Sequence, residues 1–186
     1  AALVYFGKHA DALALSEAGS IEDSSGVEAN GTFDISATTA GATINALTGS
    51  GSVLLGAKTL SIADADGAFS GAISGSGGLT VEDGEQTLSG VNTYSGAPTV
   101  DDGATLKLTG AGSIAASSSL DLAGDFDISG KTGNAALKSL SGAGDVALGA
   151  NSLDLTAASG TFSGVIGGSG GLTVSGGTEV LSGVNT

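Results

Sequence analysis

The chain has 186 residues, of which 34 are Gly, 26 Ser and one Pro, with no Cys. Nineteen Asp and Glu stand against five Lys and no Arg, for a net charge of −14. That balance excludes a disulfide framework, a thiol nucleophile and a thiolate metal site, and it disfavours nucleic acid and anionic membrane surfaces, whose binding rests on basic charge. A Gly, Ser and Pro share of about one third usually signals disorder, but Leu, Val, Ile and Phe make up about 24% of the chain, above the roughly 20% floor for building a core.

Residues 1–7 form a short apolar stretch with no basic residues before it, which does not read as a signal peptide. The chain is read as having lost such a segment or as an internal piece. No apolar run approaches the roughly 18 to 20 residues of a spanning helix. Further along, short runs alternate apolar and polar residues, at 59–62, 86–89, 105–108, 125–128, 152–155 and 179–182. Alternation with period two predicts strands with one buried face. Most are preceded by Gly and small residues, as in Leu55-Gly56-Ala57-Lys58, which supply turns.

The chain repeats itself. Phe33-Asp34-Ile35-Ser36 returns as Phe126-Asp127-Ile128-Ser129, and Leu88-Ser89-Gly90-Val91-Asn92-Thr93 returns as residues 181–186, always at an offset of 93. Residues 19–93 align on 112–186 without a gap, with 40 of 75 positions identical. The chain is therefore two tandem units, 1–93 and 94–186, with 1–18 divergent and read as a cap or boundary. Apolar marks at 33, 60, 88, 106, 126, 153 and 181 give four steps per unit, about 23 residues each. Short strands, Gly turns and a rung-sized period predict an all-β parallel β-helix, a single continuous solenoid of roughly eight coils. Coils about 4.8 Å apart make a rod of about 40 Å.

Phe69-Ser70-Gly71, Gly77-Gly78-Leu79-Thr80 and Leu88-Ser89-Gly90-Val91-Asn92-Thr93-Tyr94, repeated from Phe162 to Thr186, resemble the passenger-associated β-strand repeat of Gram-negative autotransporters. The motif spans 69–96 in the first copy and begins again at 162 in the second. It departs from the family at Ala97-Pro98-Thr99, and residues 1–10 do not match. The resemblance implies a right-handed β-helix, secreted or displayed at the cell surface by type V secretion. A C-terminal outer-membrane barrel, not present in this sequence, would be its only membrane contact. The implied function is that of a rigid stalk or adhesin in attachment to host cells or in bacterial aggregation, with host cell-surface or matrix molecules, or further copies of itself, as partners. The missing Cys fits passage through an oxidising periplasm.

No catalytic, metal or cofactor residue is carried by the resemblance, and none is expected. The alternatives are a β-helical polysaccharide-active enzyme and a self-associating biofilm module. For an enzyme, Asp101-Asp102 is the leading carboxylate pair, but neighbouring strand residues point to opposite faces, the comparable Glu82-Asp83 becomes Ser175-Gly176 in the second copy, and no Arg is present to bind an acidic sugar. Asp64, Asp66, Asp83, Asp101 and Asp102 are weighed as a weak Ca²⁺ site and read as a solubilising surface. Gly75-Ser76-Gly77-Gly78 and its copy at 168–171 lack the helix that a phosphate loop needs. The lone His9 has no metal partner. Tyr5, Phe6 and Tyr94 are candidates for a recognition patch. Phe33, Phe69, Phe126 and Phe162 are expected in the core, Asn92 and Asn185 at turn backbone groups, and Leu88 and Leu181 inside the coil.

Overall fold

A computed structural model describes residues 2–7 and 11–186; Lys8 and His9 lie outside the described residues. Among these residues there is no helix, and every paired strand is parallel to its neighbour. The chain winds as a three-faced solenoid of about nine turns, close to the expected count. The first face stacks Val4–Phe6, Val27–Ala29, Leu47–Thr48, Ala65–Phe69, Gly84–Leu88, Thr105–Leu108, Asp125–Asp127, Asp145–Gly149 and Ile166–Gly168, joined between the third and fourth strands by the bridge Gly49 to Phe69. The second face begins Ala12–Glu17, Thr32–Thr38, Ser52–Gly56 and Ala72–Gly75. It continues through irregular rungs at 91–95 and 113–115, the first held by Thr93 N–H on Ile73 C=O and by the bridge Val91 to Ser113. It ends in Ala135–Leu137, Leu153–Leu155 and Leu172–Val174. The third face runs Ala42–Ile44, Leu60–Ile62, Leu79–Val81, Thr99–Val100, Leu120–Leu122, Leu140–Gly142, Thr161–Phe162 and Val180–Leu181.

Period-two alternation sets which side chains enter the core. In Thr105–Leu108 the burial alternates, with Leu106 and Leu108 inside, and Leu106 stacks in register on Phe126, which stacks on Val146. On the third face the buried column runs Ile44, Ile62, Val81, Val100 and Leu122. Phe33, Phe69, Phe126 and Phe162 are all fully buried, as expected. They are spread among aliphatic rungs and do not stack on one another; among the described residues the ring pair is Phe6 with Phe33, centroids 6.3 Å apart. In both copies a Gly lies in register beneath a Phe, Gly49 under Phe69 and Gly142 under Phe162. A side chain at either Gly would run into the carbonyl of the rung below, at 2.3 Å and 2.0 Å.

The step per coil is shorter than the sequence spacing predicts. Successive registered partners on the first face are Leu106, Phe126, Val146 and Ile166. The cause lies in which faces carry large side chains. The apolar marks at 33, 60 and 88 sit on the second, third and first faces, so each 27- or 28-residue spacing crosses four faces and not a full coil of three. Small residues fill the rungs between, and small residues leave no mark in a hydrophobicity pattern.

One consequence is geometric. Val27–Ala29 lies on the first face, but its repeat copy Leu120–Leu122 lies on the third. Fourteen face-to-face steps separate them, three to a turn, so a 93-residue unit spans four and two-thirds turns. The two units are thus related by a screw: one third of a turn and a rise of about 22 Å, at about 4.8 Å per coil. Phe33 on the second face and its copy Phe126 on the first follow the same rule.

Candidate interaction face

The carboxylates singled out in the sequence fall along one face and its corner. Asp66, Glu85, Thr105, Asp125 and Asp145 are stacked in register on the outside of the first face. Asp64, Glu82-Asp83 and Asp101-Asp102 occupy the turns that lead into it, all exposed except the half-buried Asp101. Asp101 and Asp102 do lie in a turn, where the Asp101 carbonyl accepts the Ala104 N–H at 3.0 Å, and the Asp83 carboxylate accepts the Gly84 N–H at 2.7 Å. These groups are therefore strung out at coil spacing along an edge. No three His, Cys, Asp or Glu side chains among the described residues gather at metal-holding distance.

Lys107 sits in the adjacent column, half-buried, with its Nζ 3.5 Å from Glu85 Oε2 and 3.5 Å from Asp127 Oδ2. The two carboxylates beside it raise its pKa. Asp127 is pulled two ways. Burial acts to raise its pKa, but the Ser129 hydroxyl and N–H and the Lys107 ammonium hold it below the usual carboxylate range. The other described lysines are also tied across coils: Lys58 donates to the Thr39 carbonyl at 3.0 Å, Lys138 to Ala116 at 2.8 Å, and Lys131 to Gly112. Burial lowers the Lys131 pKa. The described cations are thus used inside the rod's own surface, and the charge left over is acidic.

The remaining candidates resolve individually. Tyr5 is 60% exposed, but Phe6 packs against the core and Tyr94 is 1% exposed, with a hydroxyl that has no partner and a pKa pushed up by burial. A recognition patch of Tyr5, Phe6 and Tyr94 is therefore not formed; the rings of Phe6 and Tyr94 are needed inside. Asn92 is buried and serves the turn backbone: its Oδ1 accepts the Ile73 N–H at 2.9 Å, while Nδ2 donates to the Gly90 and Ser113 carbonyls. Asn185 repeats this on Ile166 and Gly183. At Gly75-Ser76-Gly77-Gly78 the N–H groups of Ser76 and Gly77 are both given to the Gly56 carbonyl, and those of Ser169 and Gly170 to Gly149. N–H groups spent on the coil below are not available to a phosphate.

Sequence reading missed Gln86. It points inward from the first face, fully buried, above Gly67 in register. Its Nε2 reaches the carbonyls of Gly67 and of Leu47, one rung further down, each at 3.1 Å. Gly67 is what opens that slot, since a Cβ there would sit 2.4 Å from the Leu47 oxygen. The repeat copy places a half-buried Glu179 above Gly160 with the polarity reversed, its Oε2 accepting the Gly160 N–H at 3.3 Å and its Oε1 without a partner. Burial raises the Glu179 pKa, against two backbone hydrogen bonds that lower it. The signal available was a polar residue at an inward position of the alternation, Gln86 two before Leu88.

Leu181 departs from expectation. Leu88 is fully buried, but Leu181, on the outermost strand of the third face, is 40% exposed. A shallow groove of about 340 Å³ opens at the corner near Glu17, Glu22, Thr39, Thr43, Thr59 and Ser61. Comparison with protein families, with curated proteins and with solved structures finds no match for this chain.

Proposed function

We propose that this chain is a non-catalytic rod segment of a secreted or surface-displayed passenger of the autotransporter kind, and that it works as a rigid stalk. The observation that supports this most is the phase of the two units. A third of a turn separates copies of every outward motif, so identical surfaces point in different directions. A multivalent binding face needs its copies side by side, because avidity is lost when geometry forbids simultaneous engagement. A stalk needs only that each coil stack on the last, which a screw preserves. The acidic outside, with the described lysines tied down, keeps such a rod soluble and apart from its neighbours.

Folding by propagation from coil to coil suits a chain that emerges end first, and the Cys-free sequence avoids disulfide closure on the way. The motifs quoted from 69–94 and 162–186 are what point to the autotransporter class.

The test is twofold. The labelled, purified chain is offered to host epithelial cells and matrix proteins beside an unrelated acidic β-helix; a stalk binds no better than the control, and saturable excess binding makes it an adhesin. In a displayed protein, removal of one repeat unit should shorten the rod by the rise of that unit, about 22 Å from the coil spacing, and leave ligand affinity unchanged. Lost affinity in that deletion argues against the stalk.

A further inference from the structure

We propose that the rod carries a binding site for a small organic carboxylate at an interior break in its second face, with Lys131 as the cation of the site. The break is made by the sequence. Gly112-Ser113-Ile114-Ala115-Ala116-Ser117-Ser118 stands where a strand of that face would run, and it turns instead: the Ser117 N–H and hydroxyl both donate to the Ile114 carbonyl, at 3.1 Å and 2.7 Å. Among the described residues the next strand up, Ala135–Leu137, therefore pairs on one side only, with Leu153–Leu155. The Ala135 N–H donates to the Ser152 carbonyl and the Leu137 carbonyl accepts the Thr156 N–H, both at 2.9 Å. Alternation along the strand turns the N–H and C=O of Ala136 to the other edge, toward the break. Paired coils lie both below and above this point, so the open edge is the work of the turn.

A hollow of about 140 Å³ opens in the break, room for roughly four or five water volumes. Leu108, Ile114, Ala115 and Ala135 give it apolar walls, and Lys131 and Asn134 stand at its polar end. Lys131 gives one N–H to the Gly112 carbonyl and, unlike Lys107, pairs with no carboxylate among the described residues. Burial lowers its pKa, as expected of an ammonium drawn out of water without a counter-ion. Asn134 accepts the Ser152 N–H on its Oδ1 at 2.9 Å, which leaves Nδ2 as its free end. An ammonium, an amide Nδ2 and the Ala136 N–H thus border one hollow, and no carboxylate lines it. A carboxylate on a short carbon body fits both halves, with charge-assisted hydrogen bonds at one end and apolar contact at the other. Sulfate or phosphate would instead press further oxygens against the apolar walls.

The first unit supplies a comparison within the same chain. Gly19-Ser20-Ile21-Glu22-Asp23-Ser24-Ser25 makes the same turn, with the Ser24 N–H on the Ile21 carbonyl at 2.9 Å, and the strand that follows on that corner, Ala42–Ile44, is likewise paired on one side only. The groove beside it is the one near Glu17 and Glu22. Thr38, which donates to the Ile35 carbonyl at 2.9 Å, stands at the place of Lys131, and Gly41 at that of Asn134. That groove is lined by two carboxylates and no lysine. The same break therefore carries opposite charge in the two units, and the interior copy is the one suited to an anion.

Proton–nitrogen correlation NMR on the intact, isotope-labelled chain, titrated with sodium propionate and sodium glucuronate at constant ionic strength, is the experiment. At least one of these carboxylates should give saturable shifts at Ala136, Lys131 and the Asn134 side-chain amide, and none at their copies Thr43, Thr38 and Gly41. Whichever binds tighter names the source, a free acid or the acid group of a sugar. Lys131→Met keeps the length of the side chain and should weaken binding by about tenfold or more. Asn134→Ala should weaken it several-fold. Variant spectra that match wild type away from the hollow establish that both variants fold. No saturable shift with either carboxylate overturns the proposal and leaves the stalk reading where it was. So do shifts that persist undiminished in Lys131→Met, equal shifts from sodium sulfate, which would make this a general anion contact, and equal shifts from glucose, which would rest on hydroxyls and not on charge.

Discussion

Leu88 and Leu181 offer a controlled test of what a covering coil contributes. Both begin the same hexapeptide, Leu-Ser-Gly-Val-Asn-Thr, so propensity and turn chemistry cancel between them. Leu88 is fully buried, between Phe69 below and Leu108 above. Leu181 has Phe162 below it, lies on the outermost strand of its face and is 40% exposed. Truncation to Ala removes the equivalent of about three methylene groups, worth roughly 2.4 kcal/mol when fully buried. At Leu88 a cavity is left between two rungs, bringing the expected cost to about 3 to 4 kcal/mol, within the usual range for buried Leu→Ala. At Leu181 about 60% of the transfer term remains, about 1.4 kcal/mol, and no closed cavity forms. Urea denaturation of the two variants measures both. Leu88→Ala should shift the main transition, while Leu181→Ala should loosen the last coil with little effect on it. Equal losses at the two sites would refute the reasoning, because they would show that the coil above adds nothing.

Three further outcomes follow from the polar groups. Gln86→Glu places a carboxylate against the Leu47 and Gly67 carbonyls, and its folded-state pKa should rise. The variant should be destabilised by more than about 2 kcal/mol at pH 8, by analogy with other buried unpaired polar groups, and recover as pH falls toward 4; a pH-independent loss in urea titrations would contradict this. Asp127 has a lowered pKa, so the stability it contributes is present above the unfolded carboxylate value and lost as pH falls through its lower folded value. Asp127→Asn should therefore flatten the acid limb of the thermal midpoint between about pH 5 and 3, and an unchanged limb would argue against it. Asp125 and Asp145 are stacked in register as like charges, which is destabilising, so added NaCl should raise the melting temperature at low salt; a fall would mean that the Lys107 pairs outweigh the repulsion.

The amino-acid sequence by itself determined the class of fold. Alternation in runs such as Thr105–Leu108 is a local property of side chains on a pleated backbone, and the 93-residue duplication is visible residue by residue. The Phe positions and the role of Asn92 and Asn185 were legible for the same reason: an apolar ring or a turn amide states its surroundings in its own chemistry. The coil length, and with it the turn between the units, was decided only by the tertiary structure. Rungs of Ala, Gly and Ser carry no hydrophobic mark, so a step of four faces and a step of three look alike until strands pair. The exposure of Leu181 and the burial of Gln86 and Tyr94 were likewise beyond the local pattern. Each depends on what lies one rung above or below, a full coil away along the chain, and that is a property of the stack.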